Sequence, residues 1–347
     1  MTPPSPLDGT HPAPYVLVVI ATQEAPAAPG PWRSAVRRLR GDRAGLAFAV
    51  LLGAITLAFL AAPLWAATIA RTGPDANHIS DTVDVGGRSV DVVALDGTPI
   101  GPTWRGRYLL GADVNGRDVA VRVLHAGRTS LLISVAAALV CILLATILGL
   151  VAGYLGGWVE TAITRGLDVV WSFPVLLFGV ALGTVLALNE VRLGPLSPEA
   201  TSKVLTALVI GVVSVPYVAR PVRARARELS RESFVDAAVL QGAGRVRIMA
   251  RELLPNLSFT LIALFTVLVG NAIVLEAALS FLGAGVRSPE ASLGSMLRDG
   301  LAHVSTAPHL VVVPSVALTL TVLAVNLAGD AVRRALDPHA TVAGPPA

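Results

Sequence analysis

Six long apolar stretches dominate this chain, and five of them contain no charged residue. A helix needs about 20 consecutive, mostly apolar residues to cross a lipid bilayer. The stretches cover residues 44–70, 129–159, 169–189, 204–219, 253–286 and 300–329, and only Glu276 interrupts the fifth. A soluble domain does not bury six such helices, so the sequence predicts an all-α polytopic membrane protein with six transmembrane helices.

The composition agrees with a membrane location and excludes several classes of protein. Hydrophobic residues make up 54% of the 347 residues and charged residues only 14%, whereas an ordinary globular protein has roughly 25% charged residues. The single cysteine, Cys141, excludes a disulfide framework, and the only lysine, Lys203, follows no glycine-rich run that would make a Walker ATP site. His303 and His309 are poorly spaced for one metal ion. We therefore expect no catalytic residue, metal site or cofactor in this chain, and no nucleic-acid partner.

Arginine residues flank the apolar stretches on alternate sides. They lie in 33–43, at Arg165, throughout 220–251, and at Arg333 and Arg334. Basic residues concentrate on the cytoplasmic side of membrane proteins. We therefore expect a multi-pass membrane protein with both termini in the cytoplasm, and the 26 arginines beside a single lysine favour a bacterial cell membrane. Its predicted parts are a disordered basic tail over 1–43, a first span over 44–70, an extracytoplasmic segment over 71–128, a core domain over 129–338 and a C-terminal tail over 339–347.

The extracytoplasmic segment carries a strand pattern. Valines alternate with polar residues around two turn sequences, Gly86-Gly87 and Asp96-Gly97. Alternation of this kind, interrupted by glycine turns, is typical of a β-hairpin. The sequence predicts a small hairpin outside the membrane, in the part that covers residues 75–103.

The longest cytoplasmic loop, residues 220–257, has helical order of its own. Its apolar residues recur at helical spacing in two groups, which are Val235, Ala238, Val239 and Gly242, and then Val246, Met249, Ala250 and Leu253. Gly242-Ala243-Gly244 separates the groups, and Pro255 is expected to end the second. The pattern predicts two short amphipathic helices joined by a glycine turn. Their apolar faces suit either anionic lipid or a soluble partner protein, and periodicity alone does not decide between the two.

This loop resembles the EAA loop of ATP-binding-cassette (ABC) importer permeases. The resemblance rests on Asp236-Ala237-Ala238, on Gly242 after three intervening residues, and on Leu254-Pro255. It implies that the loop forms a coupling helix that docks on an ATPase subunit, with Arg251 and Glu252 in the same surface. Asp236 stands where the family has Glu, and Glu252 stands where the peptide-transporting branch usually has His.

Other segments resemble the C-type permeases of dipeptide, oligopeptide and nickel importers. They include Asp113, Gly116, Arg117 and Asp118 before the second span, Ser280-Phe281-Leu282-Gly283, and Asn326-Leu327-Ala328-Gly329-Asp330. The resemblance implies a type I importer permease fold and import of peptides, with nickel chelates or other small solutes as the alternative. It also implies a heterodimer with a homologous permease, an extracytoplasmic binding protein, and two ATPase subunits that bind ATP and Mg²⁺. Residues 75–103 are similar to no part of that pattern and look like an insertion.

Polar residues inside the fifth stretch need an explanation, because an intramembrane carboxylate is costly unless it faces protein or water. Asn271 and Glu276 either line a translocation path or make structural hydrogen bonds to a neighbouring helix, and we favour the structural interpretation for Glu276. Helix-end ion pairs are also expected, which would join Asp168 to Arg165, and Asp330 to Arg333 or Arg334.

Two other classes of membrane protein fit the sequence less well. An ion-coupled secondary transporter usually shows more spans, inverted repeats and buried ion ligands. A membrane-embedded enzyme needs acids or histidines clustered at one depth, and the sequence offers none. An importer permease therefore remains the preferred interpretation.

Overall fold

The structure is a computed structural model, and it describes residue 37 and residues 41–104, 106–188 and 194–336. Most of the predicted N-terminal tail, Asn189 at the end of the third apolar stretch, and the predicted C-terminal tail lie outside the described residues. The described part is mostly helical, which confirms the all-α class.

The helices and strands follow one another in a simple order. The bounds are α1 Arg43–Leu60, α2 Ala62–Trp65, a π-helical turn Ala66–Ala70, β1 Thr82–Val85, β2 Arg88–Asp91, α3 Val119–Leu155, α4 Gly157–Trp171, α5 Val175–Leu188, α6 Pro198–Leu229, α7 Ser233–Leu240, α8 Arg245–Ile248, a π-helical turn Met249–Leu253, α9 Leu254–Phe281, α10 Leu293–Leu301 and α11 His309–Leu336.

Five helical segments among the described residues are long and apolar enough to cross a membrane. They are α1, α3, α6, the run from Arg245 to Phe281, and α11. The pair α4 and α5 makes a sixth candidate if it counts as one span, although its two helices meet at 85°. The third predicted span, residues 169–189, is therefore not one straight helix. The chain bends at Ser172–Pro174, because proline has no amide hydrogen to continue the helix and keeps its preceding residue out of the helical region.

Two helices extend past the apolar windows that predicted them. Helix α3 begins at Val119 instead of residue 129, and α6 continues to Leu229 instead of ending at residue 219. The added turns contain arginines, among them Arg122 and Arg223, which find carboxylate partners within the fold. The expected boundaries at residues 128 and 220 were thus wrong as helix boundaries, since paired arginines are compatible with a continuous helix.

Helices α3 and α6 form the centre of the bundle, and glycines bring their backbones together. A Cβ atom at Gly153 would lie 2.6 Å from the Arg223 carbonyl oxygen, and one at Gly149 would lie 2.9 Å from the Ala219 carbonyl oxygen. Small residues permit this close packing of membrane helices. Around the contact, the largest buried cluster extends from Ala138 on α3 to Val325 on α11.

The bundle has two ends that differ in chemistry. We call the end that carries the starts of α1 and α9 and the finish of α6 the basic end, and the opposite end, where β1 and β2 lie, the hairpin end. Asp42 ties α1 to α11 at the basic end, where its carboxylate lies 2.9 Å from the Arg334 guanidinium. Asp42 also accepts a hydrogen bond from the Gly45 amide as the N-cap of α1. That hydrogen bond and the neighbouring Arg334 hold the pKa of Asp42 below its usual value.

Strands β1 and β2 form an antiparallel hairpin that pairs Thr82 with Asp91 and Val85 with Arg88. Gly86 and Gly87 make the turn with φ of 67° and 85°, which suits the left-handed conformations of a tight hairpin turn. The hairpin lies where the valine alternation predicts it.

The predicted partner of Asp168 was wrong. Asp168 pairs with Arg220 of α6 at 2.9 Å, and the Arg220 guanidinium also stacks over the Trp171 ring at 4.9 Å. Likewise Arg334 pairs with Asp42. Both contacts join helices that are distant in the chain, so neighbouring residues in the sequence could not indicate them.

Candidate functional site: the loop at the basic end

Helix α7 ends in a turn that only a glycine fits easily. Gly242 has φ of 79°. Its amide donates to the Val239 carbonyl oxygen at 2.9 Å, and the Ala243 amide donates to the Ala238 carbonyl oxygen at 3.0 Å. This pair of bonds, with a left-handed residue just past the helix, is a Schellman motif. The predicted glycine turn is thus present, and it fixes the angle between α7 and α8.

The loop is anchored to the bundle by one side of each short helix. Val235 and Ala238 of α7, Ile248 of α8 and Leu253 of the following turn are buried in the same cluster as α3 and α6. The two groups of apolar residues, or stripes, that were predicted to form the buried faces were therefore only partly correct. Val239, Gly242, Val246 and Ala250 face outward, and Ile248, which neither stripe included, faces inward.

Pro255 does not end the second helix as expected. It lies in the first turn of α9, directly after the π-helical turn, and the helix continues through it. A π-helical turn, Met249–Leu253, joins α8 to α9, so that the chain passes from the loop into the long helix without a break. The extra residue of a π turn rotates the helix face, which explains why the second stripe had the wrong phase.

The outer surface of the loop combines apolar and charged side chains. Leu240 is 88% exposed and Val246 is 74% exposed. Asp236 and Ala237 lie on the exposed side of α7, and Arg245, Arg247 and Arg251 are exposed on the second part. Glu252 is half-buried, and its carbonyl oxygen accepts a hydrogen bond from the Asn256 side chain. A rigid, exposed surface of this kind is suited to contact another molecule.

An ionic cluster that the sequence did not reveal holds α4 against α6 next to this loop. Glu160 accepts hydrogen bonds from Arg223 and Arg227, each at 3.2 Å, and Arg223 also donates to the Thr164 hydroxyl at 2.9 Å. Arg223 and Arg227 are four residues apart, so they share one face of α6. That spacing was the available signal for a facing acid, but it could not name Glu160.

The residues expected at the hairpin end form a structural junction. Asp118 is the N-cap of α3, where it accepts from the Ala120 and Val121 amides, and its second oxygen accepts from the Tyr108 amide at 2.7 Å. The side chain of Asp113 pairs with Arg117 at 2.6 Å. A Cβ atom at Gly116 would overlap the backbone of His78. Burial raises the pKa of Tyr108, whose hydroxyl donates to the Gly116 carbonyl oxygen.

This junction also fixes the hairpin segment to the bundle. The Arg122 guanidinium, almost completely buried, bonds to the Pro74 carbonyl oxygen and to Asp75 at 3.0 Å. The ring of His309, at the start of α11, lies 2.9 Å from the Ala112 carbonyl oxygen. The expected insertion therefore packs as a fixed part of the fold.

The two polar residues of α9 do not form one site. Asn271 is exposed, whereas Glu276 is fully buried. The Ser280 hydroxyl donates to Glu276 Oε1 at 2.7 Å, and the hydroxyls of Ser130 and Ser292 lie close to the same carboxyl. Glu276 thus lies at the junction of α3, α9 and the start of α10, an arrangement that supports its structural interpretation. Among the described residues, no group of histidine, cysteine or acidic side chains could hold a metal ion.

Comparison with known proteins identifies relatives over most of the chain. Residues 145–342 match the model of the binding-protein-dependent transport system inner membrane component family. The oligopeptide transport system permease protein OppC of Haemophilus influenzae is 32% identical over 88% of both chains. The dipeptide permease protein DppC of Alkalihalophilus pseudofirmus is 31% identical over 89% of this chain and 90% of its own length. The glutathione permease protein GsiD of Pectobacterium atrosepticum is 31% identical over 89% of this chain and 91% of its own length.

The structural match is more distant. A structure titled as inward-facing conformations of the MetNI methionine ABC transporter covers 62% of this chain and 96% of its own, with a TM-score of 0.48 and 18% identity. Family membership thus rests on the sequence comparisons: this chain belongs to the inner membrane components of binding-protein-dependent transport systems.

Proposed function

We propose that this chain is the permease subunit of an ABC importer that moves short peptides across the bacterial cell membrane. It works beside a homologous permease, receives its cargo from an extracytoplasmic binding protein, and is driven by two ATPase subunits that bind ATP and Mg²⁺. Both termini lie in the cytoplasm. Peptide is the cargo in the names of several relatives, and glutathione, named for another, is itself a tripeptide.

The observation that carries the proposal is the loop at the basic end. Its inner side is fixed to the bundle by Val235, Ala238, Ile248 and Leu253, while Leu240 and Val246 remain exposed on the outside. A helix that lies on lipid buries its apolar face in the membrane. Here the buried face contacts the chain's own core, and the outer face mixes apolar residues with arginines as interfaces between proteins do. The ATPase subunit is the partner that this surface suits.

Replacing Leu240 tests the ATPase contact. Burial of a leucine side chain contributes roughly 1.5–3 kcal/mol, so Leu240→Asp should weaken ATPase binding by roughly 10- to 100-fold. The measurement is the amount of ATPase that co-purifies with tagged permease from membranes as the salt concentration rises. Leu95→Asp is the matched control, because Leu95 is also highly exposed but lies at the hairpin end. Equal retention of the ATPase by both variants would contradict the proposal.

Transport in proteoliposomes tests the cargo and the energy source. The assembled transporter, with its binding protein outside and ATP inside, should accumulate radiolabelled dipeptide only when ATP is hydrolysed. A nickel chelate should compete poorly. Uptake that follows an ion gradient without ATP would instead indicate a secondary transporter.

A further inference from the structure

A cavity of about 590 Å³ opens at the hairpin end of the bundle. It lies between the last turns of α5, the first turns of α6 and residues 284–290, which follow α9. Small-molecule pockets typically measure roughly 300–1,000 Å³. The cavity therefore has the volume of a site for a small solute, and it lies far along α6 from the loop at the basic end.

The walls of the cavity carry both signs of charge. Glu199, Arg287 and Glu290 line it, and the ammonium of Lys203 stands directly behind the wall as the partner of Glu290. Lys203, the only lysine of the chain, pairs with Glu290 at 2.6 Å, so that the pair joins α6 to the segment after α9. The side chains of Lys203 and Glu290 are 33% and 26% exposed. Water thus still reaches both groups, and neither is locked in the interior.

The remaining wall is apolar, and it includes Leu186, Leu205, Val209 and Val286. A ligand that fits such a site has an apolar body and two opposite charges. A short peptide with free termini has this chemistry, since its ammonium and carboxylate groups stand at the ends of an otherwise neutral chain. A metal chelate of high negative charge would meet two glutamates and lacks a matching group for them.

We propose that this cavity is a binding site for the free termini of a short peptide on its way through the permease. The peptide carboxylate takes the place of Glu290 beside Lys203, and the peptide ammonium pairs with the released Glu290. The exchange leaves the number of charges of each sign in balance, so no unpaired charge is buried. It also separates α6 from the segment after α9. This inference rests on peptide import, and it names the part of the chain that holds the cargo.

Protection of an introduced cysteine measures binding in the cavity directly. The native cysteine, Cys141, is buried, so Ser202→Cys in the cavity wall supplies one reactive thiol. The transporter is purified with its partner subunits in nanodiscs and labelled with a small maleimide while Ala-Ala is titrated. When the Ala-Ala concentration is about ten times its dissociation constant, the site is about 90% occupied and labelling should slow about tenfold. Ser89→Cys, exposed on β2, is the control whose labelling rate should not change.

Charge variants then identify the groups that bind. The doubly blocked dipeptide N-acetyl-Ala-Ala-amide should not protect Ser202→Cys. Adding Lys203→Gln or Glu290→Gln should weaken protection by Ala-Ala at least tenfold, and co-purification of the partner subunits shows that each variant still assembles.

The proposed site is refuted if Ala-Ala gives no protection, or if free and blocked dipeptides protect equally. Unchanged protection in both glutamine variants also overturns it. The same preparation is assayed for ATP-dependent uptake of Ala-Ala. Uptake without protection rejects this cavity and leaves peptide import intact, whereas protection without uptake retains the binding site and rejects import.

Discussion

Gly242 offers a test of the loop at the basic end in which the size of the effect follows from the backbone alone. Its φ of 79° lies in the left-handed region, and a Cβ atom added there would meet nothing within 4 Å. Gly242→Ala therefore introduces no clash. Its cost is the strain of an L-residue in that conformation, about 1–2 kcal/mol. The motif that closes α7 should open about 5- to 30-fold more often, since that is the population ratio for this energy.

Gly244 supplies the matched control. It lies two residues away, has φ of −71° and ψ of 157°, and likewise has open space around a Cβ atom. Alanine adopts this conformation without strain, so Gly244→Ala should be neutral or slightly stabilising through the unfolded chain. Gly242→Asn should fall between the two, because asparagine tolerates the left-handed region better than alanine.

Hydrogen exchange measures the opening of the motif. The amides of residues 242 and 243 donate to α7 carbonyl oxygens. In nanodiscs, Gly242→Ala should speed the hydrogen exchange of these two amides by the same 5- to 30-fold. Affinity for the ATPase should fall in parallel, because α7 is no longer held at one angle. Equal exchange rates in Gly242→Ala and Gly244→Ala would refute the argument, as would a loss of ATPase binding in Gly244→Ala alone.

Three further predictions concern stability, and each is measured as the change in thermal midpoint of the purified chain in detergent. Gly294→Ala should destabilise the fold by at least about 1–3 kcal/mol, since its Cβ would overlap an α9 backbone carbonyl, while Gly53→Ala, which has open space, should be tolerated. Arg122→Ala should cost about 2–4 kcal/mol because it removes a buried cation from two hydrogen-bonded partners, whereas exposed Arg88→Ala should change little. Asp42→Asn should make the thermal midpoint less dependent on pH under acid conditions. A carboxyl whose folded pKa is lowered stabilises the fold above pH 4, and this stabilisation is lost as the pH falls through the folded pKa.

The sequence predicted the apolar segments well because membrane insertion depends on the local density of charge. It failed at the ends of those segments. Arg122 and Arg223 lie in helices that a charge-free window excludes, and their partners, Asp75 and Glu160, are distant in the chain. Whether an arginine interrupts a helix depends on such a partner, and local sequence does not contain that information.

The loop at the basic end shows the same division between local and distant information. The turn at Gly242 was predictable because its cause is one glycine and its neighbours. The buried face of the second helix was not, because the π-helical turn at Met249–Leu253 shifts the phase of α8, which precedes it without a break. A π turn has no sequence signal comparable to a glycine cap, so Ile248 was missed and Val246 was placed on the wrong side.

Helix α6 connects the two regions to which we assign a function. Its 32 residues correspond to about 48 Å at 1.5 Å per residue, with Lys203 near one end and the Arg223–Arg227 cluster near the other. Glycine packing against α3 and the Glu160 contacts hold its second half to its neighbours. A displacement of α7 is therefore expected to move α3, α4 and α6 together rather than to bend α6 near its end.

Two prolines weaken the backbone of α6 within that same half. Pro216 and Pro221 each lack an amide hydrogen, so two backbone hydrogen bonds of the helix are missing between the loop and the cavity. Pro216 is buried, so water does not replace the bond there. If force from the ATPase reaches the Lys203–Glu290 pair, it must pass through this segment. Gly211 packs against the Ala137 carbonyl oxygen on one side of Pro216, and Ala219 packs against Gly149 on the other. Helix α3 therefore braces this segment as well, and we expect the two helices to move together here.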